Sequence, residues 1–421
     1  MVTMADIEHV SSRADMTRVF DGYSFDRREE VDERRTKRPF VKTYLLEVLD
    51  GRPDHSLDHV PEVFRRYGIE LRQVDTNLYG LSHANDFKGF LEVLRPRLVA
   101  LYSVQHSTEI DKFVRHLVHA APEIDHVWLS GRTFNVLWNV VTRLCQPHRY
   151  VRIVFTHDSV YDIDNHIDSG EDEDDEDEAI SETEDASDDY EPIKERRAAR
   201  FQLVDRIRVV QEKLKCLQDT YAPLHAISTL RFPSTVGRGG HDFYDNGKVT
   251  NRSDSFRDHR SHVLYVTRIY EQMLGRTESR VWYGPPCSTT PSTSSLSLEG
   301  APLTVKFTEP LSPAVFDYWV KSTFGRQKNR FRLWGHPIRL GPTKVHVYGL
   351  DKHLWQPLFL ELTAQGCVAI VPKGTCGNTV HRLVTNIQRY LDPSAAAYLG
   401  SEPYERLVQA SSDGVTYDDT E

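Results

Sequence analysis

Residues 171–191 hold fourteen Asp or Glu and no Lys or Arg, and a run of that kind cannot enter a core. Its like charges repel and almost nothing in it is apolar, so it predicts a disordered acidic segment over 166–192 that divides the chain. Removing those fourteen from the 62 acids leaves 48 against 52 bases, so a formal net charge of -10 conceals a mildly basic body. Tethered to such a body, a polyanion would compete with phosphate for any cationic face, and so autoinhibit binding most strongly at low salt.

A chain of 421 residues exceeds one ordinary core, and two or three domains are expected. Residues 1–38 are charged, show no sustained periodicity and read as a mobile arm. Pro, Ser and Thr crowd 285–300, which reads as a linker; 401–421 reads as an acidic tail. The five cysteines are far apart and never spaced Cys-x-x-Cys, which argues against a disulfide framework or a four-thiolate zinc site. No apolar run reaches the roughly 18–20 residues that cross a bilayer, and the N-terminus lacks the apolar stretch of a secretory signal. The expectation is a soluble cytoplasmic protein without membrane contact.

Between the arm and the acidic run, over 39–165, short β-rich segments alternate with helical ones. Strands are expected at 43–49, 69–74, 98–104, 126–129 and 150–155, with helices at 56–67, 85–94, 108–120 and 133–144. That alternation predicts an α/β domain, a mostly parallel sheet with flanking helices. In 193–284 the spacing of Leu203, Ile207, Val210, Leu214 and Leu217 predicts a helix from 194 to 217, facing a core or a second copy. A polar, Gly-rich loop is expected over 233–251. Over 301–400 the order strand, helix, strand, strand, helix, strand predicts a ferredoxin-like α+β domain, with its second helix at 354–364.

From Ala301 to Asp392 twelve Lys or Arg face five acids. Arg326, Lys328, Arg330 and Arg332 cluster beside Trp334, and Lys373 opens a Gly-containing turn into a helix. Cations for phosphate and ring faces for bases suit single-stranded nucleic acid, although the glycine-and-aromatic RNA-recognition signature is absent. The leading expectation is a non-enzymatic nucleic-acid-binding or regulatory protein using these six residues. The alternative is an enzyme acting on a phosphorylated or nucleotide-like ligand through His241, Asp242, Asp258, His259 and His262, residue types that serve acid–base work. They match no established metal spacing, so no metal and no cofactor is assigned. A third possibility is an interaction scaffold that self-associates through 203–217. Glycine-rich dinucleotide and Walker spacings are missing, and Ser130 reads as a helix cap.

Overall fold

The computed structural model describes residues 2–33, 38–50, 59–163, 198–284, 299–325 and 329–417. The acidic run, most of the linker, the last four residues, and Arg326 and Lys328 lie outside the described residues.

The first sheet is built from β1 (Val41–Val48), β2 (Ile69–Asp75), β3 (Leu78–His83), β4 (Asp86–Arg95), β5 (Leu98–Ser103), β6 (Ile124–His126), β7 (Tyr150–His157), β8 (Ala199–Arg206), β9 (Ile227–Pro233), β10 (Gly240–Tyr244) and β11 (Lys248–Asn251). The second contains β12 (Trp282–Tyr283), β13 (Leu303–Lys306), β14 (Leu333–Gly341), β15 (Lys344–Asp351), β16 (Gln356–Thr363), β17 (Gly366–Pro372), β18 (Ala396–Leu399) and β19 (Glu402–Pro403). The helices are α1 (Met4–Glu8), α2 (Arg13–Asp32), α3 (His59–Arg66), α4 (Ser107–Ala120), α5 (Gly131–Leu144), α6 (Ile207–Thr220), α7 (Phe256–Val281), α8 (Pro313–Gly325), α9 (Asn378–Tyr390) and α10 (Tyr404–Asp413).

The eleven-stranded sheet runs β2-β3-β4-β5-β1-β11-β10-β9-β7-β8, with β6 also on β1. Its described pairings are antiparallel throughout. The expected parallel α/β sheet is therefore overturned. What the spacing concealed were hairpins: Thr76 and Asn77 join β2 to β3, and Ala84 and Asn85, both at positive φ, join β3 to β4. Two-residue turns of this kind connect antiparallel neighbours, whereas a parallel pair needs a crossover of a dozen residues or more.

The helix expected over 85–94 is instead strand β4. The reason is two-sided burial: Phe90 joins one core cluster while Leu91 and Val93 join the other, so no alternation is left to read. β1, in the middle of this sheet, is buried at all eight positions.

The ferredoxin-like expectation also fails. The second sheet runs β14-β15-β16-β17-β13-β18-β19, antiparallel apart from β12 on β17. The segment expected as its second helix is strand β16. Leu358, Leu360 and Leu362 face inward and Phe359 outward; the spacing Leu354, Leu358, Leu362 satisfies a helix and a strand equally. Likewise the 194–217 helix starts only at Ile207. Leu203 sits on β8 opposite Ile153, and Ile207, Val210 and Leu214 are the buried face of α6.

The expected mobile arm contains two helices. Ile7, Val10, Met16 and Phe20 are 0% exposed, and the Phe20 ring lies 4.8 Å from that of Phe256. Asp21 accepts hydrogen bonds from the backbone N–H groups of Phe256 (2.6 Å) and Arg257 (2.9 Å), so a carboxylate of α2 caps the N-terminus of α7. Asp21→Ala is expected to lower stability by about 1–2 kcal/mol in urea unfolding; an unchanged midpoint would contradict this docking. Among the described residues no helix is long and apolar enough to cross a membrane.

Candidate anion-binding cleft

A cleft of about 190 Å³ opens between one face of the first sheet, helix α4 and the loop that precedes β14. Its shape depends on the hairpin β10–β11, in a stretch expected to be loop. Gly247 N–H donates to Tyr244 O at 3.0 Å and Gly247 has φ +76°. This is a three-residue hairpin loop closed by a left-handed glycine. A Cβ at Gly247 would stand 2.8 Å from Val127 O. The turn carries Tyr244 and Lys248 to the cleft, where Lys248 pairs in register with Tyr44 of β1.

The walls are cationic and aromatic. Six Lys or Arg line the cleft (Arg115, Arg200, Lys248, Arg330, Arg332 and Arg389) against two carboxylates, Asp111 and Asp245. Lys248 Nζ donates to Asp111 at 2.9 Å, and Tyr44 OH donates to the same carboxylate. Arg389 donates to Asp245 at 2.9 Å and to Asp158 at 2.5 Å. Arg330 donates to Tyr390 OH at 3.2 Å, stands 3.6 Å from Asp245, and holds its guanidinium 5.7 Å from the Trp128 ring. Arg332 donates to Asp125 at 2.9 Å. Even counting Asp125 and Asp158, six cations meet four carboxylates. Trp128, Tyr44 and Tyr244, all largely buried, also line it.

His126 also lines the cleft, and its Nδ1 is buried with no hydrogen-bond partner. Burial pushes its pKa down to about 4, so it stands neutral near pH 7. The cleft thus gathers fixed positive charge beside three aromatic side chains, each less than a tenth exposed, and a neutral imidazole. That combination suits an anion carrying a planar ring.

Behind the wall lies a network that fixes the second sheet against the first. Arg382 is 0% exposed and donates to both Asp125 and Asp351, while its Nε donates to Phe331 O at 2.9 Å. Asp125 also accepts from Asn378 at 3.3 Å and Trp128 at 3.4 Å. The guanidinium groups hold its carboxyl well below the usual range, against the opposing effect of burial.

Of the expected nucleic-acid residues, the four that are described do not form one surface. Arg330 points into the cleft, Arg332 is 4% exposed against Asp125, and Trp334 is 54% exposed on the outer face of the second sheet. Lys373 lies in the turn after β17, where its backbone N–H donates to Tyr283 O at 3.1 Å. The helix start that would have held an anion there is satisfied internally, because Gly377 N–H donates to Glu278 at 2.9 Å. Ser130 is the cap expected of it, accepting from Thr133 N–H at 3.2 Å.

Four of the five acid–base candidates do meet. His241 Nε2 lies 2.8 Å from Asp258 Oδ2, His259 Nδ1 lies 3.3 Å from His241 Nδ1, and the rings of His241 and His262 are 4.7 Å apart. Asp242 is excluded, because neighbouring strand residues point to opposite faces; it accepts from Arg231 (2.6 Å) and Arg252 (2.8 Å) instead. His241 on β10 and His259 and His262 on the sheet-facing side of α7 are each 0% exposed, so the set is a core feature. The five-residue catalytic constellation is corrected accordingly.

The cleft's residues come from β1, α4, β6 and the residues just after it, β7, β8, β9, the β10–β11 hairpin, the loop before β14 and the end of α9. The Asn246-Gly247 pair was the one local signal for it, a hairpin marker between alternating residues.

No solved structure matches the chain. The uncharacterized protein MJECL33 of Methanocaldococcus jannaschii is 24% identical over 381 residues, covering 84% of this chain and 84% of that protein. The family model for MJECL33-like proteins matches residues 4–406, and the chain belongs to that family.

Proposed function

We propose that the protein binds a phosphorylated, ring-bearing small molecule of the nucleotide class in this cleft. The observation that carries the reading is six Lys or Arg gathered with three aromatic side chains around one opening of about 190 Å³. Phosphate would sit among Lys248, Arg330 and Arg389, and a planar ring would lie against Trp128 or Tyr244. A cleft of that volume suits one small ligand better than a polymer. The four described cysteines are free, in keeping with the cytoplasmic setting we infer.

Isothermal titration with a nucleoside, its mono- and diphosphates, and pyrophosphate tests the reading. One-to-one binding is expected for the phosphorylated forms, weakening with salt, with the bare nucleoside far weaker. Equal heats for nucleoside and nucleotide would overturn it.

A second reading keeps single-stranded nucleic acid as ligand, on the outer face of the second sheet. Trp334, Tyr348 and Phe359 are 54%, 65% and 39% exposed there, and the rings of Tyr348 and Phe359 stand 5.1 Å apart. Against it, nearby cations are engaged: Lys344 with Glu361 at 2.8 Å and Arg339 with Asp317 at 2.6 Å. Oligonucleotide anisotropy with Trp334→Ala and Tyr348→Ala variants decides it; an unchanged signal removes this reading.

A further inference from the structure

We infer that Glu47, His353 and Cys376 form a divalent-metal site of the zinc class that ties the second sheet to the centre of the first. Glu47 lies in β1, His353 in the turn between β15 and β16, and Cys376 in the turn that enters α9. Glu47 and His353 are 0% exposed and Cys376 is 1% exposed. Glu47 Oε2 stands 3.1 Å from Cys376 Sγ and 3.5 Å from His353 Nε2, and the three donor atoms all lie within 4.8 Å of one another. A tetrahedral zinc ion, bonded at about 2.0–2.3 Å to N, O and S, would set such donors about 3.3–3.6 Å apart.

The protonation pattern points the same way. His353 Nδ1 lies 2.7 Å from Pro122 O, and a carbonyl can only accept, so Nδ1 carries the hydrogen. In the neutral ring this leaves a lone pair on Nε2, which is buried, has no hydrogen-bond partner and faces the Glu47 carboxylate. Two acceptors facing each other in a core repel, and a cation between them removes the conflict. A ligating histidine held through its other ring nitrogen by a backbone carbonyl is the usual outer-shell arrangement.

Burial and the facing Glu47 carboxylate push the Cys376 thiol up, and in the absence of an ion its S–H donates to Glu47. A bound cation would displace that proton onto solvent and leave the sulfur with two donors. Asn378 N–H donates to Sγ at 3.4 Å and Arg97 Nη2 at 3.3 Å. Arg97 also donates to Glu47 Oε1 and, at 2.8 Å, to Glu278. With the ion bound and the thiol deprotonated, two glutamates and a thiolate would meet one guanidinium and a divalent charge, and the group would be neutral. The mixed S, N, O donor set favours zinc over hard cations. The other buried trio, His241, Asp258 and His262, presents a weaker case: Asp258 already accepts from His241 at 2.8 Å and from Thr235 Oγ1 at 2.5 Å.

The test uses the full-length protein purified without chelators. Elemental analysis by plasma mass spectrometry is expected to find one zinc per chain. Exchange for Co²⁺ is expected to give a thiolate-to-cobalt charge-transfer band in the near ultraviolet, lost in Cys376→Ser and kept in His262→Gln. A folded wild type that takes up no Co²⁺, a cobalt spectrum without the thiolate band, or metal lost in His262→Gln but retained in Cys376→Ser would each overturn the site. Because the first two readings need no variant, a variant that fails to fold leaves the proposal open to refutation.

Discussion

Asp125→Ala is expected to cost about 3–5 kcal/mol, close to the whole stability of a marginal domain at about 5–15 kcal/mol. Asp125 is 0% exposed and takes guanidinium donors from Arg332 and Arg382, themselves 4% and 0% exposed. Arg382 would keep Asp351, but Arg332 would be left with the carbonyls of Ile124 (2.7 Å) and Ala121 (3.5 Å). The penalty comes from that stranded charge and not from the pair's own strength, since a buried ion pair and an apolar replacement often come out even. Arg332→Met added to Asp125→Ala is accordingly expected to restore part of the loss. Urea unfolding followed by circular dichroism measures both; a single variant within ~0.5 kcal/mol of wild type, the usual range for a surface substitution, would contradict the network.

The second large effect is acid lability beginning well above the carboxylate range. Burial holds His262 down to about 4 and His381 down to about 3. His381 is packed against Tyr404 OH at 2.6 Å and Thr277 at 3.3 Å. An unfolded histidine takes up its proton near 6.5. The unfolded chain therefore binds more protons between the two values, and the stability these groups contribute is full above about pH 6.5 and falls as pH drops toward 4. At pH 5 the loss is on the order of 2 kcal/mol for each of the two. Unfolding free energies from pH 7.5 to 5 are expected to decline steadily; a flat profile would mean these histidines are not buried as neutral groups.

Local patterning carried some elements and not others. β1, β5, β7, α4, α5 and α9 were legible because each presents its own period or a short apolar run with capped or turned ends. β4 was not, because both of its faces are buried, and neither was β16, whose leucines fit two periods. β10 and β11 were hidden for the opposite reason: Asp242, Lys248 and Thr250 share a buried face that is paired with other charges, so the hairpin reads as polar loop. The arm was misread because Met16, Val19, Phe20 and Tyr23 form a buried stripe diluted among charges that face outward.

The functional residues were harder still. Clustering in sequence drew attention to Arg326 through Arg332, yet Arg330 and Arg332 turn inward to aromatic rings and a carboxylate. The cleft, by contrast, gathers Tyr44, Asp111, His126, Lys248 and Arg389 from distant parts of the chain, a grouping that only antiparallel pairing of β1 with β11 and packing of α9 against β7 brings together. Glu47, His353 and Cys376 are dispersed in the same way.

The most direct measurement is the affinity of a fluorescent nucleoside diphosphate by anisotropy, for wild type and for Lys248→Gln and Arg330→Gln. Loss of one charge-assisted contact, about 1.5–3 kcal/mol, corresponds to weakening by about tenfold or more for each variant. Affinities that match wild type in both folded variants would contradict the assignment of the cleft as the anion site.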